Sequence, residues 1–129
     1  MLLDILSRYL EGVELIVNGL KHAYVERYEE EILTDDRVNL RIRIRFTNGY
    51  LLELTEAVKA EKLMINHLNY RYHFQDDHNN LVFRYDNTPH FPDIESFPHH
   101  KHTQRVVLPG ARPAISDVVA EALIEMNNV

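Results

Sequence analysis

Three histidines and a lysine fall together in Phe97-Pro98-His99-His100-Lys101-His102. Imidazole moves protons near neutral pH, binds phosphate when charged, and ligates metals. A short His-rich tract is compositionally a metal-binding candidate. The chain has no cysteine, so a zinc site needs His, Asp or Glu ligands, for example His100 and His102 with His90 or Asp86. The plainer reading is a surface loop whose histidines have no role. A second constellation is Arg84-Tyr85-Asp86-Asn87, running into Pro89-His90. A guanidinium beside a carboxylate makes either a structural ion pair or part of a site, and Asp86-Asn87 can close a strand with an Asx turn. A third is the alternating Arg41, Arg43 and Arg45. Such a stripe binds phosphate, or is the solvated side of a sheet, balanced by Glu53 and Asp86.

Placing these residues depends on the elements that carry them. Val38, Leu40, Ile42, Ile44 and Phe46 alternate with polar residues, the period of a half-buried strand. After Thr47-Asn48-Gly49, Tyr50, Leu52 and Leu54 continue the apolar series. A two-residue Asn-Gly loop would set Ile44 opposite Glu53 and Arg45 opposite Leu52, mixing the faces. A three-residue loop with Gly49 left-handed sets Phe46 opposite Tyr50, Ile44 opposite Leu52 and Ile42 opposite Leu54, so the second register is expected. Residues 65–76 and 81–86 read as another hairpin across Asp77-His78-Asn79-Asn80. A four-residue loop pairs Phe74 with Phe83 and Tyr72 with Tyr85, and on the other face His73 with Arg84 and Arg71 with Asp86.

The ends of the chain read as helices. Leu2, Ile5, Leu6, Tyr9 and Leu10 share one helical face, and Gly12 then interrupts. Segment 13–34 is compatible with two strands, 13–17 and 24–33, turning at Asn18-Gly19. Residues 87–104 hold three prolines and four histidines and read as a long irregular loop. Residues 105–108 suit a short strand. Ile115, Val118, Val119, Ala122, Leu123 and Met126 recur at helical spacing, with Ser116 as N-cap and Asp117 and Glu121 at the positive end of the dipole. The expected fold is α+β: one domain over 1–129, an antiparallel meander with a short N-terminal and a C-terminal helix on its apolar face.

Length and composition fit this. The 129 residues are 45% hydrophobic and 26% charged, ordinary for a globular protein and unlike a disordered one. With no cysteine there is no disulfide scaffold or thiol nucleophile. No apolar run reaches the roughly 20 residues of a membrane span, and the start does not read as a signal peptide, so a cytoplasmic location is expected. The net charge of −6 resides in residues 1–36, and the remainder is neutral with seven of the eight histidines. Whole-chain charge therefore brings no general attraction to nucleic acid, while a local basic face remains open.

The runs Tyr70-Arg71-Tyr72-His73-Phe74-Gln75-Asp76, Leu81-Val82-Phe83-Arg84-Tyr85-Asp86-Asn87-Thr88-Pro89-His90 and Phe97-Pro98-His99-His100-Lys101-His102 resemble the TumE family. These are small prokaryotic toxins of type II toxin–antitoxin systems. Their pattern is a Y-x-Y-H-x-Q-D strand, an F-R-x-D-N-x-P-H strand and an F-P-H-H-K-H tract. The resemblance covers roughly 50–104. It departs at the turn, where Asn79-Asn80 replace an expected glycine, a mild change because Asn tolerates a left-handed backbone. The resemblance implies a growth-inhibiting protein neutralised by a helix-turn-helix antitoxin encoded beside it. It singles out His73, Gln75, Arg84, Asp86, Asn87, His90, His99, His100, Lys101 and His102, without settling the activity.

The leading expectation is an RNA-directed toxin working as a metal-independent endoribonuclease with no cofactor. RNA cleavage needs a base for the 2′-hydroxyl, an acid for the leaving oxygen and cations on the phosphorane. His73, His100 and His102 are candidates for base and acid, Arg84 and Lys101 for charge stabilisation, and Asp86 for orienting a neighbour. Arg71, Gln75, Asn87, His90 and His99 are candidates for substrate contact. One alternative is a non-catalytic module that binds RNA or protein and inhibits sterically, its acidic N-terminal third docking a basic antitoxin segment. Another is a metal-dependent phosphoesterase using the histidines and Asp86. A homodimer is one way to cover the sheet edges.

Overall fold

A computed structural model of the protein describes residues 1–89 and 96–127. The described residues hold, in order, α1 (Asp4–Asn18), β1 (Ala23–Thr34), β2 (Arg37–Phe46), β3 (Leu51–Glu61), β4 (Met64–Gln75), β5 (Leu81–Asp86), β6 (His100–Thr103), β7 (Val107–Pro109) and α2 (Ile115–Asn127). The strands form one antiparallel sheet whose spatial order is the chain order. Alternate residues of β2 to β5 share one face, which carries Leu40, Ile42, Ile44, Leu52, Leu54, Tyr72, Phe74 and Phe83, all buried. Leu6, Leu10, Val13 and Val17 of α1 and Ile115, Val118, Val119 and Ala122 of α2 join the same core. This is the expected α+β meander with both helices on the apolar face. Among the described residues no helix is long and apolar enough to cross a membrane.

Both hairpin registers are the expected ones. Ile44 lies opposite Leu52, Ile42 opposite Leu54 and Arg43 opposite Glu53. The Phe46 N–H donates to the Tyr50 carbonyl at 2.9 Å, and Gly49 has φ +94°, the left-handed position that the three-residue loop requires. In the second hairpin Phe74 faces Phe83, Tyr72 faces Tyr85, His73 faces Arg84 and Arg71 faces Asp86. Asn79, in the turn where the resemblance leads one to expect glycine, has φ +64°.

Local expectations are corrected at several places. The first helix does not stop at Gly12, and residues 13–17 are helix rather than strand. Leu6, Leu10, Val13 and Val17 keep one continuous buried stripe, which outweighs the ~1 kcal/mol a helical glycine costs. Asn18-Gly19 ends that helix, with the Gly19 N–H returning to the Leu15 carbonyl. The supposed loop 87–104 contains β6, which pairs with β5 and supplies partners to backbone groups otherwise left at an edge. The strand after it is Val107–Pro109. Ser116 lies inside α2: Ala114 precedes the helix, and its N–H is held by the Asp117 carboxylate at 3.3 Å.

Candidate functional site

Strand alternation and register bring the polar residues into two rows across the sheet. Arg43, Glu53, His73, Arg84 and His102 are successive partners on five adjacent strands. The neighbouring row is Arg41, Thr55, Arg71, Asp86 and His100. The rows are not uniformly basic. At the β2 end, Arg43 and Arg45 are bound by Glu26 of β1 at 2.8 and 3.3 Å, and Arg43 also approaches Glu53 at 3.5 Å. These guanidinium hydrogen bonds hold the Glu26 carboxyl below its ordinary range. Arg43 and Arg45 thus form a balanced, solvated face, with Glu26 as the main counter-charge.

The β5–β6 end is different. Asp86 is buried, its side chain 6% exposed. Its Oδ1 lies 2.7 Å from His100 Nε2 and accepts the Thr88 N–H at 3.0 Å. Its Oδ2 accepts from Arg84 Nε at 3.3 Å and lies 3.7 Å from His102 Nε2. The two readings of Arg84-Asp86-Asn87 therefore hold together: Asp86 closes the strand with an Asx turn and anchors a cluster. The His100 and His102 rings meet edge-on with centroids 4.6 Å apart. His100 is almost wholly buried, while His102 is 15% exposed and Arg84 27%.

One strand over, His73 Nε2 lies 2.8 Å from Gln75 Oε1, and Gln75 in turn donates to Asn79 at 2.9 Å. His73 Nδ1 is buried with no hydrogen-bond partner among the described residues. Burial first, then Arg71 and Arg84, hold the His73 imidazole below its ordinary 6.5, against the opposing Gln75 bond. Burial first, then Arg84, lowers His102 against the pull of Asp86. Both rings are thus biased toward the neutral form, with Arg84 between them. Their backbones stand about 10 Å apart, two strand spacings.

The remaining candidates divide. Arg71 is exposed beside Asp86 and lines a groove with Thr55, Asn69, Asn87 and Thr88. Asn87 braces the strand end: its Oδ1 accepts the Tyr70 N–H at 3.1 Å and its Nδ2 donates to the Leu68 carbonyl at 3.2 Å. His99 stacks on Tyr70, with Nδ1 2.8 Å from the hydroxyl. Lys101 is on the opposite, helix-covered face, 2.7 Å from Glu121 of α2. His90 lies outside the described residues.

A second polar network has no counterpart in the sequence reading. Glu56 of β3 is buried within the apolar face. Its carboxylate accepts from Tyr9 at 2.5 Å and from Tyr72, and lies 3.1 Å from His67 Nε2. Arg112 donates to the Tyr72 hydroxyl at 3.2 Å. The available signal was a carboxylate occupying an apolar slot between Leu54 and Val58. Burial pushes Glu56 up, but the His67, Tyr72 and Tyr9 hydrogen bonds, with the His67 charge interaction, outweigh it and hold the carboxyl below its ordinary value.

No curated protein and no solved structure gives a match. A family model described as Toxin TumE matches residues 13–128. That span takes in both hairpins, the Asp86 cluster, the His-rich tract and α2, well beyond the 50–104 of the sequence resemblance. The polar rows and the chain that builds them thus fall within one match, and the protein belongs to the TumE toxin family.

Proposed function

We propose that this toxin acts on RNA and cleaves the phosphodiester backbone on the β4–β5–β6 end of the polar face. The observation that supports this most is the row His73–Arg84–His102, two imidazoles biased to the neutral form flanking a guanidinium. Arg84 binds the phosphate and offsets the charge that builds on it. His73 takes the proton of the 2′-hydroxyl at Nε2, which the substrate hydroxyl reaches by displacing Gln75 Oε1, and a water beside the Asp86 cluster on the other side of Arg84 protonates the leaving oxygen. His100 is too buried to meet substrate and acts by positioning Asp86 and His102. Arg71 and its groove hold the adjoining nucleotide. In this reading a helix-turn-helix antitoxin of a type II system neutralises the toxin in the cytoplasm.

The test is purified protein against a large molar excess of structured and unstructured RNA, read on a denaturing gel. Many RNA molecules cut per protein, lost in Arg84→Met and His102→Ala with the fold intact, are the expected result. RNA left whole while the protein still arrests growth overturns the reading. Binding that saturates at one equivalent without cleavage also overturns it, in favour of steric inhibition.

A further inference from the structure

We propose that Asp86, His100 and His102 form a binding site for one divalent transition-metal ion of the zinc, cobalt or manganese type. His100 Nδ1 lies 3.0 Å from the Pro98 carbonyl oxygen, which can only accept, so Nδ1 carries the ring hydrogen. In the neutral imidazole Nε2 is then the lone-pair atom, and it faces Asp86 Oδ1 at 2.7 Å. A lone pair and a carboxylate oxygen this close need a positive centre. A metal ion supplies such a centre.

The third group selects the ion. His102 Nε2 lies 3.7 Å from Asp86 Oδ2, and the ligand atoms of all three residues fall within 4.8 Å of one another. Ligands about 2.0–2.2 Å from a common ion stand roughly 3–3.5 Å apart, so these spacings require only small side-chain shifts. Two imidazoles and one carboxylate suit first-row transition metals, whereas calcium and magnesium prefer oxygen ligands. Three protein ligands leave positions open for water or a phosphate oxygen.

The supports around the ligands match this use. Pro98 fixes the His100 tautomer, as a carbonyl commonly does for a metal-ligating imidazole, and the Thr88 N–H fixes the Asp86 carboxylate. The β5–β6 register places Asp86 beside His100 and Arg84 beside His102. The other grouping of this kind among the described residues, Asp76, Asp77 and His78, differs in character. His78 and Asp77 are exposed, and Asp76 is occupied by hydrogen bonds from His78 and Asn80 within its own turn. The leading expectation from sequence was a metal-independent enzyme. In the fold, one buried carboxylate between two histidines suffices. The inference concerns the ion alone and holds whatever the substrate is.

The experiment is titration of chelator-stripped protein with Co²⁺, followed by visible absorption and by bound metal per chain, with Zn²⁺ as competitor. One saturable Co²⁺ per chain with ligand-field bands is expected, displaced by Zn²⁺. It should be lost in His102→Ala and Asp86→Asn and kept in His78→Ala, with folding read by circular dichroism. No saturable binding at millimolar Co²⁺ overturns the site and leaves an Asp86–His100 ion pair. Binding unchanged in a folded His102→Ala protein overturns it equally. Should the variants not fold, histidine ring NMR of the wild type decides. Co²⁺ must broaden His100 and His102 and spare His78, and broadening of His78 alone refutes the proposal. None of these readouts uses RNA, so failure of the metal site and failure of the ribonuclease reading are separable.

Discussion

Lys101 Nζ sits 2.7 Å from Glu121 Oε2 and 5.0 Å from the centre of the Tyr85 ring, so the lysine of the His-rich tract ties β6 to α2. Tyr85 donates to the same carboxylate at 2.6 Å. Strand alternation splits the tract: His100 and His102 take the polar face, and Lys101 takes the helix side. Lys101→Met should therefore lower stability by about 1 kcal/mol, the scale of a partly exposed ion pair, and leave RNA cleavage within a few-fold of wild type. A thermal melt beside the gel assay checks this. Cleavage abolished with an unchanged melt would assign Lys101 to the chemistry instead.

Glu56 anchors the opposite side of the sheet. Replacing it with Ala leaves the Tyr9 and Tyr72 hydroxyls and His67 without their acceptor in a buried place. The expected cost is roughly 3–5 kcal/mol. Its carboxyl is held below the ordinary glutamate value of 4.5 in the folded state, so the unfolded chain takes up a proton first as pH falls. The stabilisation is complete above that value and disappears as pH drops through the lower folded value. Urea melts from pH 7 to pH 3 should show a loss in the wild type that is much reduced in Glu56→Ala.

Gly49 tests the register of the first hairpin. Its φ of +94° is strained for any side chain, and an added Cβ would stand 2.9 Å from the Asp77 Cβ. Gly49→Ala should cost about 1–3 kcal/mol by denaturant melt. A neutral result would mean that the loop adopts another turn and that Ile44 need not face Leu52.

Much of this was legible in the sequence because it follows from period and register. Once Phe74 is paired with Phe83, His73 must meet Arg84 and Arg71 must meet Asp86. What escaped was what polarity hides. His100–Thr103 has no apolar alternation, so β6 looked like loop, and the side of Lys101 could not be assigned without it. Glu56 broke an apolar series, and nothing local named Tyr9, 47 residues away, as its partner. Gly12 looked like a stop because its propensity is poor, yet the continuous stripe from Leu6 to Val17 decided the helix.

His73 offers a test of the proposed base. Burial, Arg71 and Arg84 hold its imidazole below the ordinary histidine value of 6.5. At pH 6.5, where an ordinary histidine is half charged, it is therefore more than half neutral. The unfolded chain binds the proton first, so stability is full above 6.5 and falls as pH drops from there through the folded value. His73→Gln should flatten that part of the stability profile. If His73 takes the 2′-hydroxyl proton, kcat/KM should rise along a limb whose midpoint lies below 6.5, and His73→Gln should lose it. Arg84→Met removes one of the neighbouring positive charges, so the His73 midpoint read by ring NMR should move up toward 6.5. A midpoint at or above 6.5 in the wild type would mean that the ring is solvated rather than buried, and the base would have to be sought elsewhere on the row.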